Sequence, residues 1–319
     1  MSAVAREFID RRPPLDDLRS EVIAGLKGRP RMLSPKLFYD RRGSELFDAI
    51  CKLPEYYPTR TEVGILQTHA QEIADLAGPD ALLVEPGSGN SHKVRLLLDV
   101  LRPRAYMPVE ICREHLFEAA QQLGQAYPQL ALYAICDDFT RMRTLPEAEG
   151  QGETLVFFPG STIGNFEPEA ARAFLHHIAN LAGPGAGLLI GVDLKKSASV
   201  LNRAYNDAAG ITAAFNRNLL VRLNRELQTD FQPRHFSHRA FYNESQGRIE
   251  MHLVSDRQQT VAVDGERFEF LEGEAIHTEN SYKYAIEEFQ ALAGAAGWRP
   301  ERCWTDEARL FSVHYLRAA

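Results

Sequence analysis

Short apolar runs alternate with helical patterns along the middle of the chain. The apolar runs span residues 81–85, 105–110, 130–136, 153–159 and 187–193. Residues 93–101, 114–127 and 168–181 instead repeat apolar positions at the spacing of an amphipathic helix. Apolar runs bounded by turn residues and separated by helices predict a doubly wound α/β fold, with a parallel sheet buried on both faces. Pro108 is unusual for a central strand, so we expect it near a strand end.

Two regions fall outside this alternation. Residues 1–60 contain no clear βαβ unit, and residues 197–285 begin with a helical pattern over 198–227. Residues 248–254 and 259–263 then alternate apolar and polar positions with the period of a half-buried antiparallel strand. We therefore predict two domains. One comprises residues 61–196 plus 286–319, and the other comprises residues 1–60 plus 197–285.

Composition and charge restrict the class of protein. The 319 residues are 45% hydrophobic and carry a formal net charge of -7, which argues against a nucleic-acid partner. No stretch approaches the roughly 18 apolar residues of a membrane helix, and the polar segment Met1–Pro14 lacks the apolar centre of a secretory signal. The four cysteines are scattered, without zinc-ligand spacing. We expect a cytoplasmic protein with reduced thiols and no membrane partner.

A glycine-rich turn, Glu85-Pro-Gly-Ser-Gly-Asn-Ser91, lies between the first apolar run and the following helix. Glycines there let the backbone approach a ligand, and a helix N-terminus presents unpaired N–H groups. A phosphate-binding Walker loop would end in Gly-Lys-Ser/Thr, and a dinucleotide fingerprint would need glycine where His92 stands. The order acid, any residue, glycine, any residue, glycine instead resembles the S-adenosylmethionine site of Rossmann-like methyltransferases.

Polar residues also end the next three apolar runs. Glu110 can accept both hydroxyls of a ribose, and the pair Asp138 and Phe139 can bind the amine and cover the face of an adenine. The three strand-end acids Glu85, Glu110 and Asp138, together with the glycine-rich turn, favour a nucleoside-type cofactor over the alternative that these acids are merely exposed to solvent. Asn165, after the fourth run, offers an acceptor and two donors to a zwitterionic amino acid. It could equally be a turn or N-cap residue before the helix near Pro168.

Aromatic residues cluster near the start of the chain, including Tyr39 and Tyr56. Aromatic faces favour ammonium and sulfonium groups, and tyrosine adds a polar tip. The same pattern fits core packing, which we favour for Phe38, Phe47 and Tyr57. Histidines at 235 and 238 have no partner acids or cysteines at ligand spacing, so we predict no metal site.

Five longer segments together resemble the histidine-specific methyltransferase family of ergothioneine biosynthesis. These segments are residues 38–47, 53–62, 85–89, 158–166 and 276–284. The resemblance extends from about Pro35 to the C-terminus. It implies a Rossmann-like class I methyltransferase sheet with a second α+β substrate-binding domain. It also implies conversion of L-histidine to Nα,Nα,Nα-trimethyl-L-histidine (hercynine), with S-adenosylmethionine as methyl donor and no metal.

The resemblance also assigns roles to residues. Those implied to contact S-adenosylmethionine are Tyr56, Gly87, Lys93, Glu110, Asp138 and Phe139. Those implied to contact the amino acid are Tyr39, Tyr56, Asn165, Tyr205, Met251, Glu279 and Ser281, of which Tyr39 and Asn165 are the catalytic pair. Glu279 and Ser281 would face the imidazole, because a carboxylate accepts its N–H and favours a cationic ring. The segment departs from mycobacterial-type relatives at Asn280 and Tyr282, and Glu110 stands where aspartate is common.

Two alternatives remain at this point. A methyltransferase of the same fold could act on the α-amine of tryptophan or tyrosine. The chain could also be a non-catalytic module that binds S-adenosylmethionine for a partner enzyme. We expect a small-molecule substrate and a monomer.

Overall fold

The computed structural model describes residues 6–11, 15–150 and 152–319, so most of Met1–Pro14 lies outside the described residues. The helices are α1 (Leu15–Lys27), α2 (Arg41–Ile50), α3 (Tyr57–Ala77), α4 (His92–Leu101), α5 (Arg113–Ala126), α6 (Pro168–Ala182), α7 (Ala198–Ala204), α8 (Ile211–Leu227) and α9 (Ile286–Gly294). The strands are β1 (Arg6–Asp10), β2 (Arg31–Met32), β3 (Leu82–Pro86), β4 (Ala105–Glu110), β5 (Ala131–Cys136), β6 (Thr154–Phe158), β7 (Gly187–Asp193), β8 (Phe236–Asn243), β9 (Arg248–Ser255), β10 (Gln259–Val263), β11 (Glu266–Phe270), β12 (Ala275–Tyr282), β13 (Trp298–Thr305) and β14 (Phe311–Ala318). In these ranges, every helix is too short or too polar to cross a bilayer.

The chain folds into two compact units. The first comprises residues 1–12, 58–195 and 282–319, and the second comprises residues 13–57 and 196–281. The division differs from the predicted one chiefly at the N-terminus, where β1 pairs in parallel with β5 and so lies in the sheet of the first unit. The short sequence of β1 gave no sign of this, because an edge strand exposes part of its surface and need not be a continuous apolar run.

The first unit is built on an eight-stranded sheet in the order β1-β5-β4-β3-β6-β7-β14-β13. Strands β5-β4-β3-β6-β7 are parallel and reproduce the 3-2-1-4-5 order of a doubly wound fold. β14 lies antiparallel between β7 and β13. The predicted Rossmann-like, doubly wound sheet is therefore confirmed. Pro108 lies two residues before the end of β4, opposite Glu85.

Both faces of this sheet are covered by helices. Leu83, Phe157 and Leu189 pack in one apolar cluster with residues of α3 and α4, whereas Val156 and Ile190 pack in another with residues of α6 and α9. Successive residues of one strand point to opposite faces, so a strand buried on both sides must be apolar throughout. This explains why the predicted runs match β3 to β7 so closely.

The second unit contains a four-stranded sheet in the order β2-β12-β9-β8. Helix α8 packs against α2 and against strands β8 and β9. The alternating segments predicted at 248–254 and 259–263 form β9 and β10. The helical pattern predicted over 198–227 is split into α7 and α8, because residues 205–210 form a turn in which the Asp207 carboxylate accepts the N–H groups of Ile211 and Thr212.

Replacing Leu189 by alanine should destabilise the protein strongly. Leu189 is fully buried in β7, and truncation of such a leucine leaves a cavity that costs about 2–5 kcal/mol. Urea denaturation of Leu189→Ala against wild type measures the loss. Leu271→Ala is the matched control, since Leu271 is 61% exposed and its loss should stay within about 0.5 kcal/mol. Equal losses at both positions would contradict the assignment of β7 to the core.

Candidate active site

The glycine-rich turn of the first unit is shaped by backbone geometry that favours glycine. Gly87 and Gly89 have φ angles of 71° and 53°, in the left-handed region. The N–H of Gly87 donates to the carbonyl of Val109 over 2.8 Å, which ties the turn to β4. A Cβ built on Gly87 would lie 3.5 Å from the Phe139 ring. The predicted cofactor residues Gly87 and Phe139 are therefore neighbours.

The two predicted strand-end acids are buried and oriented by nearby donors. Glu110 accepts the N–H of Gly89 at 3.1 Å on one oxygen and the N–H of Ile111 at 2.7 Å on the other. Asp138 accepts both the N–H of Thr140, at 3.0 Å, and its hydroxyl, at 2.6 Å. These contacts fix the carboxylates at the carboxyl ends of β4 and β5, where doubly wound sheets bind ligands.

A third acid, Glu85, ends β3 and is fully buried beside Tyr106, whose hydroxyl donates a hydrogen bond to it. Burial raises the pKa of Glu85 to about 8, although Tyr106 and Lys93 oppose the rise. The carboxyl is therefore largely protonated at neutral pH. It differs in this respect from an ordinary solvated strand-end acid.

Asn165 ends a short 3₁₀ helix, Thr162–Asn165, that follows β6. The N-cap of α6 is Glu167, so the alternative interpretation of Asn165 as the N-cap of that helix is wrong. Lys93 lies on α4, and its ammonium pairs with Glu62 of α3 over 2.5 Å. The ion pair between Lys93 and Glu62 was not expected from the sequence.

In the second unit, Tyr39 is held at the start of α2 by the residue that follows it. Asp40 is the N-cap of α2, where its carboxylate accepts the N–H of Gly43 at 2.7 Å. The same carboxylate accepts from Asn218, at 2.8 Å, and pairs with Arg225, at 2.8 Å, both on α8. A capping bond of this kind fixes the entry to a helix, and here it also fixes the backbone of Tyr39.

The three predicted tyrosines of the second unit form one aromatic cluster with Phe47. Ring centroids lie 5.8 Å apart for Tyr39 and Phe47, 6.3 Å for Phe47 and Tyr56, and 6.1 Å for Tyr56 and Tyr205. The Tyr205 hydroxyl donates to the Ser281 hydroxyl over 2.8 Å, which connects the cluster to β12. Phe47 therefore belongs with these tyrosines, in addition to the packing role that the sequence suggested.

Burial keeps the hydroxyl of Tyr56 in this cluster neutral. Burial, followed by the nearby Tyr205, Cys51 and Glu279, raises the pKa of Tyr56 well above its usual range. Glu279 is half-buried on β12, two residues before Ser281. Met251 is buried on β9, and its carbonyl accepts the hydroxyl of Thr278 at 3.1 Å. The unit thus combines neutral phenols, a hydroxyl and a carboxylate.

Within the described ranges, Glu250, His252 and His277 are close enough together to be considered as metal ligands. The two imidazole rings stack, with centroids 4.6 Å apart and planes 23° apart. Nitrogen lone pairs lie in the ring plane, so stacked rings direct them side by side instead of toward one point. Glu250 is also paired with Arg248 at 2.9 Å. This arrangement is a polar stack, in which His277 donates from Nε2 to the carbonyl of Glu279 over 3.0 Å.

The predicted site residues thus fall into two groups. The first unit contains Asn165 and the predicted cofactor residues Gly87, Lys93, Glu110, Asp138 and Phe139. The second unit contains Tyr39, Tyr56, Tyr205, Met251, Glu279 and Ser281. Tyr56, which was assigned to both ligands, contacts Tyr205 and Phe47 of the second unit.

Comparison with known proteins identifies the family. The sequence profile described as "Histidine-specific methyltransferase, SAM-dependent" matches residues 18–318. The chain belongs to this family. It is therefore an S-adenosylmethionine-dependent methyltransferase, as its strand order and glycine-rich turn also indicate.

Individual relatives in this family match most of the chain. It is 45% identical over 303 residues to histidine N-alpha-methyltransferase of Mycolicibacterium smegmatis, covering 93% of each chain. It is 43% identical over 302 residues to histidine N-alpha-methyltransferase of Mycobacterium tuberculosis, again covering 93% of each. Ergothioneine biosynthesis protein 1 of Neurospora crassa is 32% identical over 304 residues, which are 91% of this chain and 34% of that larger protein.

Sequence reasoning assigned no role to Glu62 or to Tyr106, although Glu62 ends one of the family segments. Glu62 is 1% exposed, and Tyr106 is fully buried. From the sequence alone, an acid on a helix is expected to be exposed to solvent, because acids are rarely buried unless they are paired. The partners of Glu62 are Lys93 and Gly160, which are distant along the chain, so only the fold reveals them.

Replacing Glu85 by glutamine should change how stability depends on pH. The pKa of Glu85 is about 8 in the folded protein against its usual 4.5, so between these values the folded state holds one proton more than the unfolded state. Protonated Glu85 makes its full contribution to the free energy of unfolding below pH 4.5. This contribution falls by about 1.4 kcal/mol per pH unit as the pH rises to 8. Glutamine has no proton to lose, so Glu85→Gln should gain stability relative to wild type as the pH rises.

Urea unfolding of ligand-free wild type and Glu85→Gln at pH 5, 6.5 and 8 measures this difference. The contributions of other titrating groups are the same in both proteins and cancel in the comparison. A difference in the free energy of unfolding that stays constant across the three pH values would show that Glu85 is ionised throughout.

Proposed function

We propose that the chain transfers three methyl groups in succession from S-adenosylmethionine to the α-nitrogen of L-histidine. The product is Nα,Nα,Nα-trimethyl-L-histidine (hercynine), an intermediate of ergothioneine biosynthesis. The main structural support is the hydrogen bond between Tyr205 and Ser281, beside the half-buried Glu279 and inside a cluster of neutral tyrosines. The named activities of the mycobacterial relatives support the same substrate.

For the methyl donor, we assign the roles to the first unit. Gly87 and Phe139 would lie against the adenosine, Glu110 would accept the ribose hydroxyls, and Asp138 would accept the adenine amine. Burial of Asp138 and Glu110 supports these roles, because a carboxylate that is held by backbone donors keeps its orientation when a ligand arrives. Lys93 would complete this set with Tyr56 from the second unit.

For the amino acid, we assign Tyr39, Asn165 and Tyr205 to the amine and carboxylate. Glu279 and Ser281 would bind the imidazole, and Met251 would pack beside it. A carboxylate accepts an imidazole N–H and favours a cationic ring. A substrate with a purely apolar ring would leave that carboxylate desolvated without a donor, which is costly. This difference selects histidine over phenylalanine. The neutral donors of tryptophan and tyrosine could also reach the carboxylate, but it favours the imidazole further because that ring can become cationic.

The reaction is an in-line displacement in which the amine lone pair attacks the sulfonium methyl group and S-adenosylhomocysteine leaves. Holding both reactants in a near-attack arrangement lowers the barrier. An α-amino group has a pKa of roughly 8 in peptides, so the amine must lose a proton before each attack. We assign that proton to water that is hydrogen-bonded to Tyr39, whose ring also favours the cationic methylated amine.

We also propose that the enzyme acts as a monomer in the cytoplasm. Every role assigned above falls on residues of this single chain, so the reaction requires no side chain from a partner subunit. The substrate is a small molecule that needs no nucleic-acid or membrane surface.

The direct test is mass spectrometry of L-histidine incubated with S-adenosylmethionine and the purified protein. We expect products with one, two and then three added methyl groups. Glu279→Ala should reduce kcat/KM for histidine by about tenfold or more, because a hydrogen bond to a charged group contributes about 1.5–3 kcal/mol. Activity on tryptophan should not fall in parallel.

Glu272→Ala is the control for this experiment, since Glu272 is an exposed acid just before β12. If wild type methylates no amino acid, the proposed function is wrong. If Glu279→Ala lowers turnover of histidine and tryptophan equally, Glu279 does not select the imidazole.

Tyr39→Phe should change how far methylation proceeds. Removal of the hydroxyl leaves the ring in place but takes away the oxygen that orients water and amine, so the ratio of mono- and dimethylated to trimethylated product should rise. Single-turnover analysis of each methylated histidine measures the three steps separately. Tyr242→Phe is the control, as Tyr242 lies half-buried on β8 with no assigned role. Unchanged rates for all three steps would remove the Tyr39 hydroxyl from the mechanism.

A further inference from the structure

Glu62 of α3 is a buried carboxylate that connects three separate segments of the first unit. It is 1% exposed. The Lys93 ammonium on α4 lies 2.5 Å from its Oε2. The N–H of Gly160, in the loop after β6, lies 3.0 Å from Oε1 and 2.9 Å from Oε2. One carboxylate therefore holds both Lys93 and the start of the loop that leads to Asn165.

The surroundings of this carboxylate are fitted to it. A side chain at Gly191 on β7 would collide with the Glu62 carboxylate, so glycine there leaves it room. A Cβ at Gly160 would lie only 3.4 Å from the Lys93 ammonium. Burial of a charge is costly unless it is paired and hydrogen-bonded. Glu62 meets both conditions, because it pairs with Lys93 and accepts the N–H of Gly160. An acid on the exposed surface of α3 would not need these partners.

The loop that Glu62 holds is short and anchored at two further points. The Ser161 hydroxyl accepts the N–H of Asp193 at 2.9 Å. Gly164 passes so close to β12 that a Cβ there would lie 2.7 Å from the carbonyl oxygen of Tyr282. Of these three contacts of the loop, the one between Gly160 and Glu62 is the one that involves a charged side chain. A change at Glu62 should therefore be transmitted to Asn165 at the other end of the loop.

We propose that Glu62 is a positioning residue of this methyltransferase. Through Lys93 it sets the affinity for the methyl donor, and through the N–H of Gly160 it orients the loop that presents Asn165 to the amino acid. The inference rests on the proposed function, which assigns Lys93 and Asn165 to the two ligands. A merely structural role would lower thermal stability and leave both binding constants unchanged.

Glu62→Gln tests the proposal, because glutamine keeps the size of the side chain and an oxygen for Gly160 but loses the charge that faces Lys93. Calorimetry with S-adenosylhomocysteine should show a Kd raised by about tenfold, the lower range for a charge-assisted hydrogen bond. Steady-state kinetics should show a raised KM for histidine. Glu72→Gln on the same helix is the control. Glu72 is 42% exposed and pairs with Arg302 at 3.1 Å, so both constants should stay at wild-type values.

A double-mutant cycle with Lys93→Met separates the two routes. If Glu62 acts on the methyl donor through Lys93, the double variant should bind S-adenosylhomocysteine no more weakly than the weaker single variant. The increase in KM for histidine caused by Glu62→Gln should persist in the Lys93→Met background, because it travels through Gly160. Fully additive losses of S-adenosylhomocysteine affinity would overturn the route through Lys93.

The proposal is overturned if Glu62→Gln lowers only the melting temperature and leaves Kd and KM within twofold of wild type. If this variant does not fold, Glu62→Asp replaces it. Aspartate keeps the charge but is too short to hold both partners, so an unchanged Kd and KM would again refute the positioning role. The calorimetric measurement does not require turnover of histidine. Failure of wild type to methylate histidine would therefore count against the proposed substrate, while the Kd still decides the role of Glu62 toward the donor.

Discussion

A carboxyl group that is buried away from water must either accept hydrogen bonds or be protonated. The first unit contains both kinds of carboxyl group near the ends of its parallel strands. Glu110 and Glu62 accept hydrogen bonds from backbone N–H groups, and Glu62 also pairs with Lys93. Glu85 has the Tyr106 hydroxyl as its donor and is protonated at neutral pH instead. The shape of the glycine-rich turn and of the loop before Asn165 follows from these contacts.

In the proposed function, the second unit surrounds a polar ligand with uncharged polar groups. Its tyrosines are packed edge to face, and burial keeps the hydroxyl of Tyr56 neutral. Phenols in this state donate and accept without adding charge, and their faces favour cations. Under the proposed function, the carboxylate of Glu279 would be the group that distinguishes one amino-acid side chain from another.

The core of the fold was predictable because a strand buried on both faces must be apolar along its length, and β3 to β7 carry charged or polar residues only near their ends. β14 was missed because its buried residues include Ser312 and His314, which interrupt the apolar pattern and bond to each other. Gly87, Glu110 and Phe139 could be placed from the sequence, since carboxyl ends of parallel strands meet at one edge. The partners of Glu62 could not, because its contacts with Lys93 and Gly160 join segments that no local pattern relates.

Strand β12 combines proposed substrate residues with a connection between the two units of the chain. The strand carries Glu279 and Ser281 in the second unit, and its last residue, Tyr282, already belongs to the first. Side chains alternate along a strand, so the insertion or deletion of a single residue would turn Glu279 to the opposite face and shift the register of everything beyond it. If Glu279 and Ser281 bind the substrate side chain as proposed, exchanging side chains on β12 would alter specificity with the strand pairing kept, whereas a change in its length would disrupt both.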